Sequence, residues 1–311
     1  MAMAQSDSQE DWTGFHYLPA PTQTALHGLL GKLHNQNVGN MTILLLGRGG
    51  VGKSSIINSL FGERVAAVSA FQSETLRPCL YSRSKDGFTI NIIDTPGLTG
   101  ARGVDEEALA TIRRYLVGKT IDAVLYVERL DGPREDQLHK KLIRAISQAF
   151  GRQVWHLVII LFTHAQIHPE DVSYPSFVST RSAALQSAIL KEACFKRTNI
   201  NVPFVLVENG SCCRVNADHE KILPDGRVWL PLLFEALVEL ISGPNESMVV
   251  DEKLLGTGEG KQLGNIWMPI ALLAQFFFIW RPIRKAIERD LSEETQQLFS
   301  RGLQAGQPHR D

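Results

Sequence analysis

The residues best suited to chemistry lie between positions 47 and 55. Leu44-Leu45-Leu46 runs directly into Gly47-Arg48-Gly49-Gly50-Val51-Gly52-Lys53-Ser54-Ser55, and a helical pattern continues from Ser55 to Phe61. This is a full GxxxxGK[ST] pattern in its required setting, after a strand and before a helix. Glycines at 47, 49, 50 and 52, with Val51 among them, let backbone N–H groups turn inward around a phosphate, and a helix N-terminus adds positive potential. Lys53 brings a point charge to the β- and γ-oxygens, Ser54 offers a hydroxyl to Mg²⁺, and Ser55 completes the phosphate-binding set.

A second element, Ile92-Ile93-Asp94-Thr95-Pro96-Gly97, puts an acid at the end of an apolar strand. Asp94 is expected to hold Mg²⁺ through water, and Gly97 to offer its N–H to a γ-phosphate. Together the two motifs imply a GTPase rather than a kinase. The base-reading element is irregular. Where an ordinary GTPase carries Asn-Lys-x-Asp, this chain has Thr163-His164-Ala165-Gln166, which lacks the acid. Guanine preference must then come from elsewhere or be lost. His164 can stack on a base, and Glu208, with Asn209 beside it after the next strand, can supply the missing acceptor.

Hydrolysis raises a similar question. Leu98 follows Gly97 where a Ras-like enzyme carries the glutamine that orients water, so a slow intrinsic rate is expected unless another group, in cis or from a partner, helps. Arg134, between a strand ending near Val127 and a helix starting near Glu135, is placed to reach outward.

These motifs resemble those of the small, 34-kDa-type Toc receptor GTPases of the chloroplast outer envelope protein-import translocon. The likeness rests on Gly47 to Ser55, on Leu76-Arg77-Pro78, on Gly87 to Leu98, on Leu130-Asp131 and on Thr163 to Gln166, and it covers nearly the whole chain. It implies a cytosol-facing GTPase that recognises transit peptides of precursor proteins. Such a receptor forms a homodimer, or a heterodimer with a larger Toc receptor, and works beside a β-barrel channel. It further implies that Arg134 reaches the partner's nucleotide and that His164, Glu208 and Asn209 hold guanine. Ser73-Glu74-Thr75 and Gly132-Pro133 depart from the family pattern. The alternative function is a hydrolysis-deficient GTP-binding scaffold subunit of a membrane complex, which Leu98 would suit.

The elements that must position these residues alternate along the chain. Thr42–Leu46, Leu80–Arg83, Phe88–Ile93, Ala123–Val127, His156–Phe162 and Phe204–Val207 read as strands separated by amphipathic stretches, the rhythm of βαβ units. Ser84-Lys85-Asp86-Gly87 is a tight-turn signal between two of them. The expected fold is therefore an α/β P-loop GTPase, with a three-layer, mostly parallel sheet, one antiparallel edge strand and a C-terminal transmembrane helix. Leu26, Leu29, Leu30 and Leu33 predict an amphipathic helix within 22–37, and Leu230–Ile241 a closing helix stopped by Gly243-Pro244. The expected boundaries are an N-terminal segment over 1–40, a GTPase domain over 41–242, a glycine-rich linker over 243–265, a membrane anchor over 266–283 and a tail over 284–311.

Ile266 to Trp280 is uncharged, and 19 residues separate Lys261 from Arg281. About 20 suffice to cross a bilayer core. Trp267 and Trp280 mark its ends as interfacial anchors. Arg281, Arg284, Lys285 and Arg289 follow, and counting positive charge alone would leave the C-terminus in the cytosol, whereas the resemblance implies the reverse. With 32 basic and 33 acidic residues the chain lacks the charge of a nucleic-acid binder, so phosphate recognition must be local. The first 40 residues hold one Lys or Arg, Lys32, and no signal-peptide core, so neither a secretory nor an Arg-rich leader is expected. Cys79, Cys194, Cys212 and Cys213 show no metal spacing and are expected as buried free thiols.

Overall fold

A computed structural model describes residues 10–68, 77–100, 103–132, 137–193, 202–210 and 213–250, all within the unit Met1–Gly256. The first half of the chain forms α1 (Ala20–Asn35), β1 (Asn40–Gly47), α2 (Lys53–Phe61), β2 (Cys79–Lys85), β3 (Phe88–Asp94), β4 (Thr99–Gly100), β5 (Gly103–Val104) and α3 (Glu106–Leu116). The second half forms β6 (Thr120–Ile121), β7 (Ala123–Arg129), α4 (Gln137–Phe150), β8 (Val158–Thr163), α5 (Tyr174–Glu192), β9 (Phe204–Leu206), α6 (Trp229–Ser242) and β10 (Met248–Val249).

Six strands form one sheet in the order β2-β3-β1-β7-β8-β9. Every neighbouring pair is parallel except β2–β3, so the expected antiparallel strand does lie at an edge. Its turn has Asp86 at φ 50° and Gly87 at φ 79°. Two successive positive φ values match the right-handed twist of a tight hairpin. Ile43 to Leu46, Ala123 to Val127 and Val158 to Phe162 are buried throughout, because helices cover both faces of a parallel sheet.

Two expected boundaries shift. His156 lies in a 3₁₀ turn, Arg152–Leu157, and β8 begins only at Val158. More consequentially, the chain stays folded beyond residue 242, inside the expected linker. β10 pairs antiparallel with β6, Ser247 Oγ donates to Asp122 Oδ1 at 2.6 Å, and Gly118 N donates to Val250 O at 3.2 Å. Gly243-Pro244 does end α6, but Val250 is 2% exposed, and its burial holds the following segment down. The remaining linker (251–265), the 266–283 span and the 284–311 tail lie outside the described residues, as do Leu76, Arg134, Cys194 and Cys212. Among the described residues no helix is long and apolar enough to cross a membrane.

Leu26, Leu29, Leu30 and Leu33 of α1 are all buried, and α1 packs against α6. Before α1, Trp12 and Phe15 are also buried, with Trp12 Nε1 donating to Phe61 O at 2.8 Å. This tucks the N-terminal segment under the far end of α2. Cys79 and Cys213 are free thiols, but Cys79 is exposed rather than buried, because it opens the edge strand β2.

Candidate nucleotide site

β1, β3, β7 and β8 are adjacent or linked through parallel pairs, so their C-terminal ends share one edge of the sheet. That edge carries Gly47, Asp94, Arg129 and Thr163. Ligands of open α/β sheets bind there, because the helix N-termini that follow point their free N–H groups into the same space. α2 starts at Lys53 with Gly52 as its N-cap at φ 97°, a left-handed conformation that favours glycine.

Lys53 is 7% exposed, and its ammonium donates to Arg48 O at 2.9 Å and to Gly47 O at 3.4 Å. Burial pushes the Lys53 pKa down from 10.5 to about 8, against the pull of Asp94 and then Glu128. A cation held beneath the loop in this way is ready to receive phosphate oxygens. Ser54 Oγ donates to Asp94 Oδ2 at 2.7 Å, which brings two hard oxygen donors together at the start of α2. That donor chemistry fits Mg²⁺, which takes few protein ligands and keeps waters and phosphate oxygens. The opposite wall is built by close approach. A Cβ on Gly97 would lie 2.6 Å from Gly49 Cα and 2.7 Å from Gly49 N, so no larger residue fits between the two loops. Leu98 N donates to Gly47 O at 3.0 Å, and its side chain is fully buried. It therefore presents no polar group to a water.

The base side is assembled from two distant loops. Val207 N donates to Phe162 O at 2.8 Å, continuing the β8–β9 pairing, and Glu208 then turns its carboxylate inward at 6% exposure. Glu208 Oε2 accepts from Gln166 N at 3.1 Å and Oε1 from Gly210 N at 2.8 Å. The carboxylate thus ties the 163–166 loop to the 208–210 loop. Among the described residues Asn209 Oδ1 is buried with no hydrogen-bond partner, while its backbone O accepts from Lys221 Nζ at 3.0 Å. An orphaned buried acceptor is costly unless a ligand completes it. His164 is half-buried at φ 55°, with Nδ1 3.1 Å from Thr163 Oγ1.

The structure thus gathers Gly47 to Ser55, Asp94 and Gly97, the residues expected to meet phosphate, in one place, and gathers His164, Glu208 and Asn209, those expected to meet the base, in another. Arg134 lies outside the described residues. Sequence reasoning missed two contributors. The Thr163 hydroxyl reaches Val51 O at 2.8 Å and Glu128 O at 3.3 Å, clamping β8 to the phosphate loop. Glu128, 3% exposed, meets His139 Nε2 at 2.9 Å through Oε2. The signal for Glu128 was present, since Tyr126-Val127-Glu128 ends an apolar strand in an acid just as Ile92-Ile93-Asp94 does.

Residues 41–201 match the model of the AIG1 family. Translocase of chloroplast 34 of Pisum sativum is 42% identical over 296 residues, covering 94% of this chain and 96% of that protein. Translocase of chloroplast 33 of Arabidopsis thaliana is 40% identical over 292 residues, covering 93% and 98%. The crystal structure of Toc33 from Arabidopsis thaliana in complex with GDP and Mg²⁺ superposes with a TM-score of 0.75 at 42% identity, covering 78% of this chain and 100% of that one. A further structure, also at TM-score 0.75 and 42% identity, covers 78% of this chain and 99% of that one. It carries the statement that dimerization is important for the GTPase activity of the translocon components atToc33 and psToc159. A family model over residues 41–201 and identity of 40–42% over 93–94% of the chain leave one conclusion: the chain belongs to the AIG1 family of GTPases and, within it, to the Toc34/Toc33 chloroplast translocase group.

Proposed function

We propose that this GTPase is a single-pass receptor of the chloroplast outer envelope, anchored by residues 266–283 with its GTPase domain facing the cytosol, that recognises transit peptides of precursor proteins beside a β-barrel channel. The observation that carries this reading is the reach of the similarity. Identity of 42% extends over 94% of the chain, through the tail as well as the GTPase unit. A shared nucleotide fold alone would not require that.

Within the site, Gly47, Gly49, Gly50, Val51, Gly52, Lys53, Ser54 and Ser55 hold the phosphates. Ser54 binds Mg²⁺ directly and Asp94 does so through water. Mg²⁺, when bound, neutralises charge on the β- and γ-oxygens. Gly97 presents its N–H toward the γ-phosphate. His164 stacks on guanine, while Glu208 and Asn209 Oδ1 accept the ring N–H and the 2-amino group. Each Glu208 oxygen keeps acceptor capacity after its backbone bond. ATP, which lacks those donors, should compete poorly with GTP.

Leu98 leaves intrinsic hydrolysis slow, and pairing supplies what the single chain lacks. Arg134 contacts the nucleotide of a facing subunit, either a second copy or a larger Toc receptor. The importance of dimerization for GTPase activity stated for atToc33 and psToc159 supports this reading. Sedimentation of the GDP-loaded full-length chain in mild detergent tests it. Arg134→Ala should weaken dimerization about tenfold or more with GDP affinity nearly unchanged. A variant that dimerizes as tightly as the parent would remove Arg134 from the interface.

A further inference from the structure

The six-stranded sheet ends in β2 on one side and in β9 on the other. Unpaired backbone along such an edge invites another chain to pair with it, so proteins commonly cover it. The β2 edge is covered: Trp12 N donates to Ser84 O and Ser84 N to Glu10 O, both at 2.9 Å. The β9 edge has no such cover among the described residues. Pro203 O accepts from Ile160 N at 2.9 Å and Val207 N donates to Phe162 O at 2.8 Å, so the odd-numbered residues of this stretch face β8. Phe204 and Leu206 therefore turn their N–H and C=O groups to the opposite side. Phe204 is 37% exposed, a large apolar side chain left in water.

Beside this edge lies a groove of about 400 Å³, with β9 along one wall and α6 along the other. α6 lines it with Leu232, Glu235, Ala236 and Glu239, the spacing of one helix face. Leu232 and Ala236 are half-buried, and both glutamates are exposed. The helix contains no Lys or Arg, so the two carboxylates, one turn apart, repel each other without a compensating charge on α6. Arg227, which also lines the groove, is held by Asp225 at 2.8 and 2.7 Å. The unmatched charge of the groove is therefore negative and its walls are apolar. We propose that the β9–α6 groove is a docking site for an extended, basic, acid-poor peptide segment. The segment pairs its backbone with Phe204 and Leu206 as a further strand, lays apolar side chains beside Phe204 and Ala236, and sets Arg or Lys against Glu235 and Glu239. Strand addition draws affinity from main-chain hydrogen bonds, so it accepts many sequences that share only a pattern of charge and apolar residues. This rests on the reading of the chain as a receptor for transit peptides, which are amphipathic, rich in Arg and Ser and poor in acids. It deepens that reading by naming the surface that binds them.

The test uses the full-length chain in mild detergent and a fluorescein-labelled synthetic peptide of about ten residues, in which Arg or Ser alternates with Val or Leu. Anisotropy gives its dissociation constant. Glu235→Gln with Glu239→Gln should weaken binding about threefold, and Glu235→Lys with Glu239→Lys about tenfold or more, with the loss shrinking at high salt. Both residues are exposed, so GDP affinity by calorimetry should stay within about twofold of the parent. N-methylation of alternate backbone amides removes the peptide's donors along one edge, and the alternation of basic and apolar residues fixes its register. Methylating one alternate set should weaken binding about tenfold or more, and methylating the other less than about threefold. Equal binding by the Lys variant, or equal loss from both methylated peptides, would overturn the inference. So would a Lys variant that changes the dimer constant by sedimentation and leaves peptide binding intact, since the groove would then join copies of this chain. If the parent binds neither the peptide nor a whole precursor protein, the receptor reading falls and the inference with it. A parent that binds a precursor but not the peptide, or whose precursor affinity is unchanged in the Lys variant, overturns the inference alone.

Discussion

The two ends of the nucleotide site are built on different principles. At the expected phosphate end, one continuous stretch from Gly47 to Ser55 supplies the loop, and among the described residues Asp94, Gly97, Glu128 and Thr163 reach in from elsewhere. At the base end, no single stretch suffices. Glu208 draws the backbone of Gln166 onto a loop 42 residues further along the chain. Phosphates present the same charged oxygens to every nucleotide-binding protein, so backbone N–H groups and one lysine can satisfy them in a fixed local geometry. A base must be distinguished by the pattern of its donors, which demands side chains, and these can come from any loops that the fold brings together.

Breaking the phosphate end should therefore have the larger effect. Lys53→Ala removes the fixed cation beneath the loop, and nucleotide affinity by calorimetry should fall by about three orders of magnitude or more. Unaltered affinity would refute the site. Gly97→Ala tests the wall rather than the charge. Its Cβ would collide with Gly49 backbone atoms at 2.6 and 2.7 Å, so the two loops must part. Displacement near 1 Å can cost about a hundredfold in rate, and single-turnover GTP hydrolysis should fall by about that factor. A rate near that of the parent would show that the close approach is not needed for the reaction.

The base end should respond in selectivity before affinity. Glu208→Gln places an amide donor where a backbone N–H now donates, and it removes the charge that holds the two loops together. The preference for GTP over ATP, read by competition, should drop about tenfold or more while Lys53 still holds phosphates. A preference equal to the parent's would move guanine recognition off Glu208.

The smallest effect sharpens the comparison by separating charge from shape. Burial lowers the Lys53 pKa in the free protein to about 8, and bound phosphates favour its protonated form. Affinity should accordingly be flat below pH 8, where Lys53 is already charged, and weaken as pH rises through 8, by about tenfold at pH 9. The GTP-over-ATP ratio should stay constant over that range, since both nucleotides meet the same lysine. A ratio that changes with pH would mean that the two ends are coupled.

Much of this was legible before any coordinates. The glycine spacing, Lys53-Ser54 and the acid ending the Ile92-Ile93 strand are local patterns whose geometry follows from backbone freedom at glycine and from period-two burial. The hairpin at Asp86-Gly87 was readable for the same reason, because a tight turn with two positive φ values selects those residue types. His164, Glu208 and Asn209 could be named as candidates from their positions after strands, but the sequence did not show that Glu208 spends one bond from each oxygen on backbone N–H groups, or that Asn209 Oδ1 is a buried acceptor without a partner among the described residues.

Other features depended on tertiary contacts between distant residues. The return of residues 248–250 to pair with 117–121 follows from burial of Val250 against an element some 130 positions earlier, which no glycine count in a supposed linker could reveal. The Glu128–His139 pair is invisible in the sequence because a lone histidine near a helix start usually reads as solvated surface; only the packing of α4 beside β7 turns it inward. What the sequence alone determined about this protein is a local pattern that backbone and neighbouring residues complete together: the Gly47 to Ser55 loop expected to capture phosphate, and the Ser54 hydroxyl and Asp94 acid expected to hold a metal. The tertiary structure decided which distant loops meet around Glu208 and that Glu128 and His139 pair in the interior, because those outcomes depend on which side chains exclude water from one another, and that is a property of the packed fold.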